Sequence, residues 1–196
     1  MVQSLPQEVR GDGWELVDRT EETVFRLATV EVRGDTALYE DVPLRRAVRE
    51  ATDGALDQPW RFVFTTRLSF RPPLSPGVGT ASVFPTVVSS ARRKFAADLR
   101  ERGFRNVERG RSDGMRTNGG ARARLTQYDA TYDLREAGVD GEVAVEGWLS
   151  VWVDGGTFRL AGGAYPVSGL DAVVPGVVAD PGTYRNELLA ILRSLA

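Results

Sequence analysis

Strict alternation of apolar and polar positions is clearest at residues 60–70, where Trp60, Phe62, Phe64, Thr66, Leu68 and Phe70 interleave with Arg61, Val63, Thr65, Arg67 and Ser69. A period of two predicts a strand with one buried face and one mostly wet face, ended by Arg71-Pro72-Pro73 because proline cannot donate to a ladder. Residues 142–154 read differently. Val143, Val145, Leu149, Val151 and Val153 point one way and Ala144, Trp148 and Trp152 the other, so both faces are apolar and the strand is expected at the centre of a sheet covered on each side. Helical spacing appears three times: Leu44, Ala47, Val48 and Ala51 after Pro43; Val88, Ala91, Phe95 and Leu99 after Pro85; and Leu188, Ile191, Leu192 and Leu195 after Asp180-Pro181. Proline suits a first helical turn, and Gly103-Phe104 supplies a left-handed cap with its hydrophobic contact for the second helix.

The remaining text is weaker. Residues 1–13 read as a tail, and 14–17 as a short strand. Residues 23–40 read as a hairpin turning at Gly34-Asp35, which also explains the tripeptide Arg33-Gly34-Asp35. After the main helix come a short strand at 104–108 and a polar, glycine-rich loop at 110–120. A strand then carries Thr126, Tyr128, Ala130, Tyr132 and Leu134 on one side. Asp154-Gly155-Gly156 turns the chain into a further strand. The expectation is one α+β domain over residues 14–196, an α/β/α sandwich with a central, mainly antiparallel sheet.

Composition narrows the chemistry. The 196 residues, 42% hydrophobic and 27% charged, suffice for one good core. No apolar run approaches the ~18 residues of a membrane span, and Met1-Val2-Gln3-Ser4-Leu5-Pro6 has no basic leader, so a cytoplasmic location is expected. Cysteine and histidine are both absent. Thiolate nucleophiles, the usual zinc sites and Ser-His-Asp relays therefore go with them. Asp129 and Asp133 stand two pleat repeats apart, roughly 13 Å, too far to chelate one ion. No cofactor or metal is expected.

Charge is unevenly distributed. Between Arg92 and Arg124 eleven basic residues face four acidic ones, a balance of +7 in a chain of net charge −2. Arg92, Arg93, Arg100, Arg102, Arg111, Arg116, Arg122 and Arg124 are the candidate surface for an anionic ligand or an acidic protein partner, since guanidinium forks match phosphate and carboxylate oxygens. The bland alternative pairs these arginines with the acidic residues of 129–154, or has them simply keep the surface soluble. Nucleic acid is not expected, because aromatics do not interleave with the arginines. The 110–120 segment lacks the Gly-Lys-Ser/Thr ending of a phosphate-binding loop. A second reading groups Tyr128, Tyr132, Trp148 and Trp152 into an aromatic-lined cavity for a small molecule, with Glu146 as an acid/base in an enzymatic version. On central strands such residues more often form core.

The order of elements, the helix ending Leu99-Arg100-Glu101-Arg102-Gly103-Phe104, the hairpin of residues 151–160 (Val-Trp-Val-Asp-Gly-Gly-Thr-Phe-Arg-Leu) and the closing helix from Tyr184 to Leu195 resemble the PsbP-like family from about Trp60 onward. The resemblance implies an α/β/α sandwich and a non-enzymatic binding scaffold whose members serve unrelated partners. It implies no site residue, and the histidines proposed for metal contacts in photosynthetic members have no counterpart here.

Overall fold

The computed structural model describes residues 5, 13–27, 30–74, 78–175 and 180–195. Along them run β1 (Trp14–Leu27), β2 (Val30–Asp41), α1 (Val42–Ala51), β3 (Phe62–Arg71), α2 (Thr80–Glu101), β4 (Arg105–Arg116), β5 (Arg122–Asp133), β6 (Glu142–Asp154), β7 (Thr157–Ser168) and α3 (Pro181–Ser194). The strands form one sheet in the order β1-β2-β3-β7-β6-β5-β4, and every neighbouring pair is antiparallel.

Alternation along the central strands sorts side chains into two cores. Val145, Leu149 and Val151 of β6 pack with Val88, Ala91, Phe95 and Leu99 of α2, and Leu44 and Val48 of α1 belong to the same cluster. Trp148 and Trp152 point to the other face, where Leu188, Ile191, Leu192 and Leu195 of the closing segment cover them. The two tryptophans are 1% and 0% exposed, as the two-sided apolar pattern of β6 requires. Helix starts follow their capping residues: the Asp41 carboxylate accepts from the Leu44 amide and the Asp180 carboxylate from the Gly182 amide. The second helix closes at Gly103 in the left-handed region, with the buried Phe104 amide donating to the Leu99 carbonyl.

A buried arginine ties the ends of the chain together. Arg61 is 7% exposed, its guanidinium 4.8 Å from the Trp14 ring and 4.2 Å from the Tyr184 ring. It pairs with Asp41 at 3.0 Å and with Glu187, which also accepts from the Trp14 indole at 2.9 Å. Burying a guanidinium is tolerable only with this density of carboxylate and aromatic partners.

Five expectations need correction. The chain does not turn at Gly34-Asp35: β2 runs straight through them, pairing Gly34 with Glu22 on one side and Leu68 on the other. A Cβ at Gly34 would come within 2.8 Å of both the Thr66 and Val24 methyls, so glycine is there for close strand approach, not for a bend. Residues 110–116 are not loop but the second half of β4, which pairs with β5 through two register shifts. Pro85 is not in the first turn; α2 begins at Thr80, and Pro85 sits inside it on an exposed stretch. The second face of β3 is wet only from Arg67 onward, because Arg61, Val63 and Thr65 are buried on the side α3 covers. Finally, the 1–13 tail lies mostly outside the described residues, but Leu5 is core, 2% exposed, with its amide donating to the Tyr39 hydroxyl.

Candidate functional site

Register decides where the arginines go. In an antiparallel pair, residues directly opposite share a face. Arg109 lies opposite Tyr128, Ser112 opposite Thr126 and Arg116 opposite Arg122, and Arg124 shares the parity of Thr126 and Tyr128, which faces α2. The α2-facing side of the β4–β5 ribbon therefore carries Arg109, Arg116, Arg122 and Arg124, all exposed. Arg92 leans onto them from the helix, its Nε donating to Thr126 Oγ1 at 2.9 Å and its Nη2 to Ser112 Oγ at 3.1 Å. Arg100 reaches the same ribbon, donating to the Val107 carbonyl at 2.8 Å. Among the described residues none of these six guanidiniums has a carboxylate partner. Burial, reinforced by the nearby charges of Arg109 and Arg124, lowers the Arg92 pKa against the opposing effect of Tyr128.

Three candidates fall away from this group. Arg93 lies back along its own helix, donating to Ser89 and Ser90 Oγ at 2.8 and 3.0 Å. Arg102 lies over the Phe62 ring at 5.1 Å, on the opposite flank of α2. Arg111 sits in the bulge between Arg109 and Ser112 and turns to the other face of the sheet, 5.3 Å from the Trp148 ring and 3.6 Å from Asp113. Arg109 completes the surface but is not singled out by sequence, since its face depends on the bulges of a strand that reads as loop. Among the described residues, the pairing with the acidic 129–154 segment is seen at the margin, where Arg105 pairs with Asp133 at 3.2 Å.

The aromatic cavity is not assembled. Tyr128 and Tyr132 belong to the core beneath α2, whereas Trp148 and Trp152 belong to the core beneath α3, with the sheet between them. Tyr128 donates to the Arg92 carbonyl at 3.1 Å, and burial pushes its pKa up to about 12. Tyr132 meets Trp60 and Phe104 edge to face, at 5.4 and 5.7 Å. Glu146, 4% exposed, accepts from Arg185 Nε and Nη2 at 2.9 and 2.8 Å, from the Trp148 indole at 2.8 Å, from Gln127 at 2.9 Å and from the Tyr165 hydroxyl. Burial alone would raise its pKa, but the hydrogen bonds from Arg185, Tyr165 and Trp148 outweigh it and hold the carboxyl below its ordinary value. A carboxylate so saturated fastens α3 to β6, with its lone pairs taken up by the protein's own donors.

A cavity does exist, elsewhere. It measures about 430 Å³ and lies between α2 and the β1–β2 ribbon, over a floor that includes Leu38, Phe62, Phe64, Phe95 and Leu160. Two register shifts bend β1, and Val24 and Phe25 pack back onto the α2 core, so this edge of the sheet curls toward the helix without closing on it. The long helix thus separates two unlike flanks: guanidiniums toward β4 and β5, and a groove bordered by Asp18, Glu22, Asp98 and Glu101 toward β1.

No group of three or more potential metal-ligating side chains occurs among the described residues. No helix among them is long and apolar enough to cross a membrane. No curated protein and no solved structure matches the chain. One family model does, over residues 3–196, so nearly the whole chain belongs to the family described as a domain of unknown function, DUF6517.

Proposed function

We propose that this chain is a non-enzymatic binding module of the cytoplasm that recognises an anionic ligand or an acidic protein segment through Arg92, Arg100, Arg109, Arg116, Arg122 and Arg124. The observation that carries the reading is that these six guanidiniums share one side of α2 and the β4–β5 ribbon with no carboxylate among them from the described residues. The reverse side of the same ribbon mixes Glu108, Arg111, Asp113 and Asp129, whereas the charged residues of the α2-facing side are all arginines. Like charges held together repel, and an anion that binds there relieves the repulsion while accepting forked hydrogen bonds. No exposed large aromatic is available on it for base stacking, which argues against single-stranded nucleic acid. Within this reading the architecture is a PsbP-like α/β/α sandwich, supported by the separate helix-covered cores on the two sheet faces.

Joint reversal of Arg109, Arg116 and Arg124 to glutamate is expected to abolish retention on phosphocellulose at low salt, an affinity loss of about a hundredfold if each exposed contact contributes about 1 kcal/mol. The same change in net charge at Arg19, Arg46 and Arg49, exposed positions elsewhere, should leave most retention intact. Equal losses in the two triple variants would contradict a specific surface.

A further inference from the structure

The groove on the other flank of α2 has a chemistry of its own. Its floor of phenylalanine and leucine side chains is apolar, and its volume of about 430 Å³ is that of a small-molecule site. Carboxylates border it from both walls, Asp18 and Glu22 on β1 and Asp98 and Glu101 on α2. Two cations of the chain already show what this mouth attracts. Lys94, the one lysine of the sequence, pairs with Asp98 and feels the charges of Glu22 and Glu101 as well, while the Arg102 guanidinium lies over the Phe62 ring. Four carboxylates against two cations leave the border acidic even with both in place. Thr36 and Thr66 hydroxyls, 2.9 Å apart, satisfy each other at the floor, so the interior presents few other polar demands.

We propose that this groove is a second binding site, for a hydrophobic organic cation whose alkyl or aryl body lies on the Phe62, Phe64 and Phe95 floor and whose ammonium head meets the Asp18, Glu22 and Glu101 carboxylates at the mouth. An apolar body gains from leaving water, and an ammonium gains from both the carboxylates and the phenyl faces. An anionic amphiphile of equal length would bring like charge against that border. This site does not depend on the arginine surface, from which α2 separates it.

The test is calorimetric titration of the full chain with octyltrimethylammonium below its micellar concentration, and with octanoate as the anion of equal chain length. The cation is expected to bind once per chain, and octanoate on the order of tenfold more weakly or not at all. Glu22→Lys, at an exposed strand position, should weaken the cation at least about threefold without altering the melting temperature. Thr36→Trp, which fills the groove, should abolish binding. The joint arginine reversal described above should leave it unchanged, so the two sites fail or stand separately. Octanoate binding as tightly as the cation, no saturable cation binding, or cation affinity unaffected by Glu22→Lys would overturn the proposal.

Discussion

Glu146→Ala is expected to destabilise the fold by about 4 kcal/mol, and with it to lower the melting temperature by about 12 °C in a chain of this size. The carboxylate accepts from five donors on four side chains, and two of those side chains, Trp148 and Tyr165, are 1% exposed. Alanine leaves the buried Tyr165 hydroxyl without its acceptor and the Trp148 indole with only the longer contact to the Tyr165 oxygen at 3.4 Å, which costs far more than the net worth of the bonds removed. Arg185 is 40% exposed and can turn to water when the carboxylate is gone, so it adds little to that cost; Arg185→Ala, by contrast, leaves the Glu146 carboxylate buried with only Gln127, Trp148 and Tyr165 to satisfy it and should be of comparable size. Acid should reproduce part of the effect. The folded-state pKa of Glu146 is depressed, so its contribution is complete above the unfolded value of about 4.3 and is lost as pH falls through the folded value. At the alkaline end, the Tyr165 hydroxyl is pushed up to about 12, by burial first and then by Glu146. Its contribution is complete below the unfolded value of about 10 and disappears as pH rises toward the folded one. Chemical denaturation of wild type and Glu146→Ala across pH checks both: the gap between them should narrow in acid.

Gly163→Ala is expected to be as damaging, by about 3 kcal/mol or more, although it adds only one methyl group. Gly163 lies on β7, between β3 and β6. A Cβ there would stand 2.2 Å from the Phe62 carbonyl oxygen and 3.0 Å from a Leu188 methyl. The first neighbour is backbone held in the β3–β7 ladder, so it cannot swing aside; the strands must part or α3 must lift. Thermal unfolding followed by circular dichroism would show the loss, and a variant as stable as wild type would mean that the two strands are less closely apposed.

These two positions also show what was legible in the sequence. The central strand β6, the stripe of α2 and the capped start of α3 were readable because both sides of each element are buried or patterned at one period, and burial is what hydrophobic periodicity records. The strands at the rims of the sheet were not. Along β1 most side chains are exposed, so its fourteen residues carry little alternation, and the second half of β4 reads as loop because Gly110, Gly114 and its charges mark an edge that has no partner to exclude water. Gly34 carries the same ambiguity: a glycine required for steric clearance looks in sequence like one required for a turn. Both proposed surfaces depend on these rims. Five of the eight arginines first singled out do gather on one side, yet Arg109 joins them and Arg111 leaves them through a bulge that composition cannot show. The acidic groove needed the curl of β1 toward α2, a property of tertiary packing with no local signal.

The most direct test of the central claim, that one side of α2 and of the β4–β5 ribbon forms an anion-recognition surface, is a nuclear magnetic resonance titration with inorganic tripolyphosphate that follows the arginine Nε–Hε correlations. Saturable shifts should concentrate on Arg92, Arg100, Arg109, Arg116, Arg122 and Arg124, with Arg111 on the reverse side left in place. Shifts spread evenly over all arginines, or centred on the face covered by α3, would contradict the account.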